Sequence, residues 1–361
     1  MQTSPPETDA VTEHRASMST RSLVSQLPKA ELHIHLEGSI QAQRLEHLAR
    51  RHGVALSFDP WTLGARTVYA DLGEFLELFT VVCGLLRTAE DFEAVVVDLG
   101  ADAVRQNIVY REVMFTPTYY LSGGPALRDI LAALRSGRAR CLREHGVLIN
   151  FIADIDRGTD PAVALDLVHR LAEMDASEFV RGIGMDGAER ETPPGRLRQA
   201  LHAALAFGFR VTSHIGSDEG PAAIRQAINE LPLERIDHGV RCVEDPALLA
   251  HIAERRYPMT VCPLSNVAVD PGRYPRLAAH PLRRLLDAGA RVTLNSDDPG
   301  MFAGDLIEVF TRSAAQFDMT DDELVGIART AFEASFALPP ERDALLDRFD
   351  RESRALRATL A

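Results

Sequence analysis

No two of the four cysteines (Cys83, Cys141, Cys242 and Cys262) lie at CxxC spacing, which leaves reduced, mostly buried thiols of a cytoplasmic protein. No apolar run approaches the roughly 18 residues that a membrane span needs. Basic residues are in deficit: 39 Lys and Arg against 52 Asp and Glu give a formal net charge of −13. That balance argues against nucleic acid or an anionic membrane as the main partner. No glycine-rich phosphate turn follows an early strand, so an open dinucleotide-binding sheet is disfavoured. Internal repeats and low-complexity blocks are also missing. Residues 1–20 are rich in Ser, Thr, Pro and charge and lack the apolar core of a signal peptide, so a disordered tail is expected there, with Met18 as an alternative start. Residues 21–361 are expected to form one domain, since 361 residues that are 46% hydrophobic can bury a large core.

What is present is a regular alternation. Strand-like runs are expected through His33 and His35, then at 107–115, 147–155, 179–185, 210–214, 235–238, 259–262 and 291–295. Helical patterns separate nearly all of them, and the residues beyond about Met301 read as further helices. Eight β/α units in a chain of this length predict an α/β fold of the closed (β/α)8 TIM-barrel type with additional helices. Before the second strand, Leu72, Phe75, Leu76 and Phe79 share one helical face. That stripe suits either plain core packing or an apolar wall over a pocket.

A barrel places its chemistry at the C-terminal ends of its strands. His33 and His35 sit two apart on a strand, so both imidazoles project from one face. His214 ends the fifth strand, His238 the sixth, and Asn295-Ser296-Asp297-Asp298-Pro299 follows the eighth. Three imidazoles and a carboxylate from strands one, five and eight make a four-ligand set for a zinc-like ion with an open position for water; iron or manganese suits the same donors. Taken singly, each histidine also reads as a hydrogen-bonded structural residue, and Asp297-Asp298 as an Asx turn or a helix cap. The other histidines, His280 among them, fall in the tail, in helices or just past helix ends.

The ordered motifs at 27–39 (LPKAELHIHLEGS), 110–117 (YREVMFTP), 182–189 (GIGMDGAE), 235–241 (RIDHGVR), 262–266 (CPLSN) and 295–299 (NSDDP) resemble those of the adenosine and adenine deaminases, zinc aminohydrolases on a (β/α)8 barrel. The resemblance implies one Zn2+ per subunit held by His33, His35, His214 and Asp297, with Asp297 and His238 serving the metal-activated water. It further implies that Asp298, Gly187 and Glu37 contact a small purine-like substrate and that Phe75, Leu76 and Phe79 form an apolar gate. Asp186, Asp237, Glu37 and the 260–266 run look more like the adenine branch than the adenosine branch. One position departs from the family. Where it reads His-Ala-Gly-Glu, with a glutamate that protonates a ring nitrogen, residues 214–217 read His-Ile-Gly-Ser. A serine hydroxyl at Ser217 cannot shuttle a proton as a carboxylic acid does, and that loss typically costs about 10²–10⁴ in rate; Asp218 and Glu219 follow at once as candidates. The expected function is zinc-dependent deamination of adenine, adenosine or a related aminated heterocycle. Two alternatives stand beside it: a zinc hydrolase of a pre-activated substrate, in which Ser217 is a substrate contact, and a silent purine-binding relative.

Overall fold

The computed structural model describes residues 18–190 and 192–360. Nine parallel strand segments run in chain order: β1 (Lys29–His35), β2 (Ile108–Phe115), β3 (Leu148–Asp156), β4 (Val180–Asp186), β5 (Arg210–Val211), β6 (His214–Ile215), β7 (Ile236–His238), β8 (Pro258–Val261) and β9 (Arg291–Leu294). β1 to β5 pair in sequence order, and so do β6 to β9. The seam between β9 and β1 closes through a parallel bridge from Ile34 to Asp297, with the His35 amide donating to the Asp297 carbonyl at 2.9 Å. This is the expected eight-stranded barrel with one difference. The strand expected over 210–214 is broken into β5 and β6, where the backbone changes partner: the Thr212 amide donates to Ile183 of β4 at 3.1 Å, and the Ser213 carbonyl accepts from Asp237 of β7 at 2.9 Å.

The strands are buried on both faces, as parallel sheets covered by helices must be. Helix starts follow local chemistry. Asp160, Asp245 and Asp305 cap the helices that begin at Pro161, Pro246 and Leu306, and Thr320 with Glu323 forms a capping box. The C-terminal residues form the helices Leu306–Gln316, Asp321–Ala334 and Pro339–Leu360. The tail expected over 1–20 lies outside the described residues except for Met18–Thr20, which open the helix Met18–Gln26. That helix packs on all three of the C-terminal helices. Among the described residues no helix is long and apolar enough to cross a membrane.

At the base of the barrel Lys29 is fully buried, and its ammonium donates to the carbonyls of Val24 and Leu27 at 2.7 Å each. Burial pulls its pKa from 10.5 down to about 7, against the opposing pull of Asp305 and Glu31. The unfolded chain therefore holds this proton up to about pH 10.5 and the folded one only to about pH 7. Stability at this site rises as the pH climbs through that window. Urea unfolding of Lys29→Met beside the native protein is expected to show the variant gaining more at pH 7 than at pH 9.5; a pH-independent difference contradicts the assignment.

Candidate metal and substrate site

The donor set is assembled from three strand ends. β1 brings His33 and His35, β6 brings His214, and the turn after β9 brings Asp297. One ligand atom from each lies within 4.8 Å of the others, and all four side chains are buried. His33 Nε2 and His35 Nε2 lie 3.1 and 3.3 Å from Asp297 Oδ1, and His35 Nε2 lies 3.1 Å from His214 Nε2. Asp297 holds a positive φ of 66°, a strained conformation of the kind kept at functional sites.

The outer hydrogen bonds fix which nitrogen is bare. Asp237 accepts from Thr212 and Thr260 at 2.6 and 2.7 Å, so the Thr260 oxygen is left to accept from His33 Nδ1 at 2.9 Å. His33 Nε2 then carries only a lone pair, and it is buried without a hydrogen-bond partner. His214 Nδ1 donates to the Met185 carbonyl at 3.2 Å, which bares its Nε2 as well. Lone pairs from two imidazoles converge on an ionised carboxylate: burial raises Asp297, but His33 and the other facing histidines hold it well below the ordinary carboxylate range. Such donors fit a divalent cation of borderline softness.

His238 sits just outside this set, with Nε2 3.9 Å from Asp297 Oδ2 and a φ of 62°. A chain of hydrogen bonds fixes its tautomer. The Leu282 amide donates to His280 Nδ1 at 3.2 Å, His280 Nε2 donates to Asn266 Oδ1 at 3.1 Å, and Asn266 Nδ2 donates to His238 Nδ1 at 3.3 Å. His238 therefore presents an N–H at Nε2 to the metal centre. Burial lowers it to about 4, so the ring is neutral at ordinary pH. Asn266 stands in the 262–266 motif with no role assigned, and His280 reads as an ordinary histidine; their role appears only once the chain brings 238, 266 and 280 together.

A cavity opens over these groups. Phe75, Leu76 and Phe79 line one side, Gly187, Ser217 and Asp298 another, with Asp186, Glu189, Tyr119, Ser265 and Asn266 completing the wall. Phe75 and Phe79 are buried and Leu76 is half-buried. Glu37 is not on the wall. It turns away past the end of β1 and accepts from the Thr116 amide at 3.2 Å and the Tyr120 hydroxyl at 3.1 Å. Burial raises Asp298 well above the ordinary range, reinforced by the adjacent Asp297 charge, which favours the protonated acid, a hydrogen-bond donor. Its Oδ1 has no partner.

Asp298 has room only because residue 38 lacks a side chain. A Cβ on Gly38 would stand 1.7 Å from Asp298 Oδ1. Gly38→Ala is expected to displace the carboxyl and to raise KM and lower kcat/KM by roughly 10²-fold, the loss of a buried charge-capable hydrogen bond, while one metal per chain is retained. Unchanged kcat/KM in a folded Gly38→Ala protein contradicts this seat.

Neither carboxylate after Ser217 takes its place. Asp218 pairs with Arg190 at 2.7 Å, and neither Asp218 nor Glu219 lines the cavity over the donor set. The carboxylate that meets Ser217 is Glu189, which accepts its hydroxyl at 2.7 Å. Burial opposes ionisation of Glu189, but Arg157 and its hydrogen bonds hold it below the ordinary range. Arg157, itself buried, donates to the Ser213 hydroxyl at 3.4 Å and to the His214 carbonyl.

A closed (β/α)8 barrel with three imidazoles and one carboxylate at its C-terminal rim defines a metal-dependent hydrolase. Comparison with known proteins narrows the class. The adenosine deaminase family model matches residues 28–352. The chain belongs to that family, within the metal-dependent amidohydrolases, and is a hydrolase acting on carbon–nitrogen bonds. The adenine deaminase of Streptomyces coelicolor is 36% identical over 315 residues, covering 86% of this chain and 90% of that protein. The adenine deaminase of Rhodopseudomonas palustris is 34% identical over 331 residues, covering 91% and 95%. Among solved structures, the adenine deaminase of Arthrobacter aurescens superposes with a TM-score of 0.84 at 31% identity, covering 90% of this chain and 98% of that one. An amidohydrolase from Burkholderia ambifaria with bound Zn gives 0.85 at 26% identity, covering 97% of each.

Proposed function

We propose that this protein is a zinc-dependent hydrolase, with one ion per chain on His33, His35, His214 and Asp297, that removes the exocyclic amino group of a 6-aminopurine presented as the free base, adenine or a close analogue. The names of the relatives support the reaction; one wall residue carries the choice of free base over nucleoside. Asp186 is buried at the end of β4 and lines the cavity. The Thr116 hydroxyl donates to its Oδ2 at 2.6 Å, while Oδ1 is buried with no partner. A buried, bare acceptor is costly until a donor reaches it. A free purine base offers a ring N–H there; a nucleoside has a sugar on that nitrogen and offers none. Burial raises Asp186 to about 6, so it is mainly an ionised acceptor above that pH.

The remaining roles follow from the hydrogen-bond network. A zinc ion held by His33, His35, His214 and Asp297 would lower the pKa of a bound water to about 7. The Nε2–H of His238 donates to the attacking oxygen and orients it, held by Asn266 and His280. Asp298, neutral and seated on Gly38, donates to a ring nitrogen. Gly187, at φ 86°, lets the backbone approach the ring edge, and Phe75 and Phe79 exclude water from the aromatic face.

The test is ammonia release by the zinc-loaded protein from adenine and from adenosine, beside Asp186→Ala. The expected kcat/KM favours the free base by about 10² or more, and Asp186→Ala erases the difference. Preference for the nucleoside, or a preference untouched by Asp186→Ala, overturns the reading.

A further inference from the structure

Glu189 lies in none of the roles above, yet it is 4% exposed and reaches the cavity wall beside Ser217. Four consecutive amides close on it. Gly216 and Glu219 donate to Oε2 at 2.8 and 3.1 Å, and Ser217 and Asp218 donate to Oε1 at 3.0 and 3.2 Å. The Ser217 hydroxyl adds a fifth donor, to Oε1 at 2.7 Å. A carboxylate offers about four lone-pair sites. Five donors leave no place for a proton, so Glu189 is an anchor and not a proton carrier.

The consequence falls on Ser217. Its one hydrogen is committed to Glu189, and its oxygen has only lone pairs left for the cavity it lines. A bare ring nitrogen placed there meets lone pair with lone pair; a ring N–H finds an acceptor. We propose that Ser217, oriented by Glu189, is a specificity-determining acceptor, and that the site prefers 6-aminopurine-type heterocycles whose ring nitrogen beside the amino-bearing carbon already carries a hydrogen. This rests on the deaminase reading above and narrows its substrate class.

Such a substrate needs no acid at that nitrogen. Water adds its hydroxyl to the amino-bearing carbon and its proton to a more distant ring nitrogen of the conjugated system. The carbon–nitrogen bond then breaks with its electron pair on the amino group. That group takes the hydroxyl proton and leaves as ammonia, and a carbonyl remains. One water is consumed, one ammonia is released, and nothing is oxidised or reduced.

Isoguanine and 2,6-diaminopurine provide the comparison. Both carry the 6-amino group and a substituent at position 2, but the 2-oxo group of isoguanine favours the tautomer with hydrogen on the ring nitrogen between them. On the zinc-loaded full chain, kcat/KM for ammonia release and the dissociation constants of both compounds are measured beside adenine. Isoguanine is expected to exceed 2,6-diaminopurine by roughly tenfold or more in both quantities, the scale of a mismatched buried hydrogen bond. Ser217→Ala is expected to reduce the ratio to within about threefold, and Glu189→Gln, by releasing the hydroxyl, to do the same. Should Glu189→Gln fail to fold, Ser217→Ala carries the test, since it removes one half-buried oxygen. A native ratio near one, or a ratio that survives Ser217→Ala, overturns the proposal while adenine turnover keeps the deaminase reading intact. If none of the three compounds binds or reacts, the deaminase reading fails and this inference with it.

Discussion

Asp297→Ala is expected to yield a folded barrel that retains no metal and has lost about 10³-fold or more of its deaminase activity. The magnitude follows from the several kcal/mol of transition-state stabilisation that a bound metal supplies. Asp297 is the one carboxylate in the four-donor set, and its Oδ1 is shared by His33 and His35 at 3.1 and 3.3 Å. Removing it leaves the three imidazoles without the one carboxylate of the set. Neutral imidazoles tolerate this, so the fold survives, but the affinity for a divalent ion does not. Elemental analysis of the purified variant, with a melting curve in the presence and absence of a chelator, checks the prediction. The native protein is expected to melt at lower temperature once chelated and the variant not to respond. One equivalent of metal in a fully active Asp297→Ala protein contradicts the ligand assignment.

The second large effect lies away from the chemistry. Arg235 and Glu112 are both fully buried and paired at 2.6 Å, and Arg235 also lies over the Phe336 ring at 4.0 Å. Glu112 accepts further from the Tyr110 hydroxyl at 2.7 Å and from the Phe336 amide. It therefore ties β2, β7 and the segment after the helix Asp321–Ala334 into one network. Arg235→Ala strands a buried carboxylate and opens a cavity, and unfolding free energy is expected to fall by about 3–5 kcal/mol. Arg235→Met combined with Glu112→Gln is expected to recover much of that loss, because it removes both charges and keeps the volume. Equilibrium urea unfolding measures both proteins. A loss below about 1 kcal/mol for Arg235→Ala means the pair contributes little to stability.

Much of this fold was legible because β/α alternation is a local signal. Each strand is a short apolar run and each helix a periodic one, and their count pointed to a closed barrel. The His33 and His35 pair was readable for the same reason, since a spacing of two on a strand fixes a common face. Glu37 shows where that logic stops. It continues the same spacing, but β1 ends at His35, and the turn carries Glu37 to Thr116 and Tyr120, away from the cavity. The break at Thr212 was hidden because it reflects a change of pairing partner, from β4 to β7, that only the folded sheet displays. His280 offered no local sign of function. Its task is set by an amide, an amide side chain and another histidine that meet only in the folded chain. Glu189 stood inside a motif readable in the sequence, but that five donors would close on it could be seen only from the turn at 216–219.

That turn also decides what the barrel rim refuses. It leads into the helix Pro221–Glu230, and successive main-chain N–H groups at a helix entrance are a common seat for phosphate. Here the seat is filled from within by Glu189. At the outer mouth Asp218 pairs with Arg190 at 2.7 Å and Asp270 with Arg273 at 3.0 Å. A phosphorylated ligand finds that cradle taken, whereas an uncharged base has no need of it. The carboxylate that shapes the turn thus occupies, from within the chain, the place that a phosphate would need.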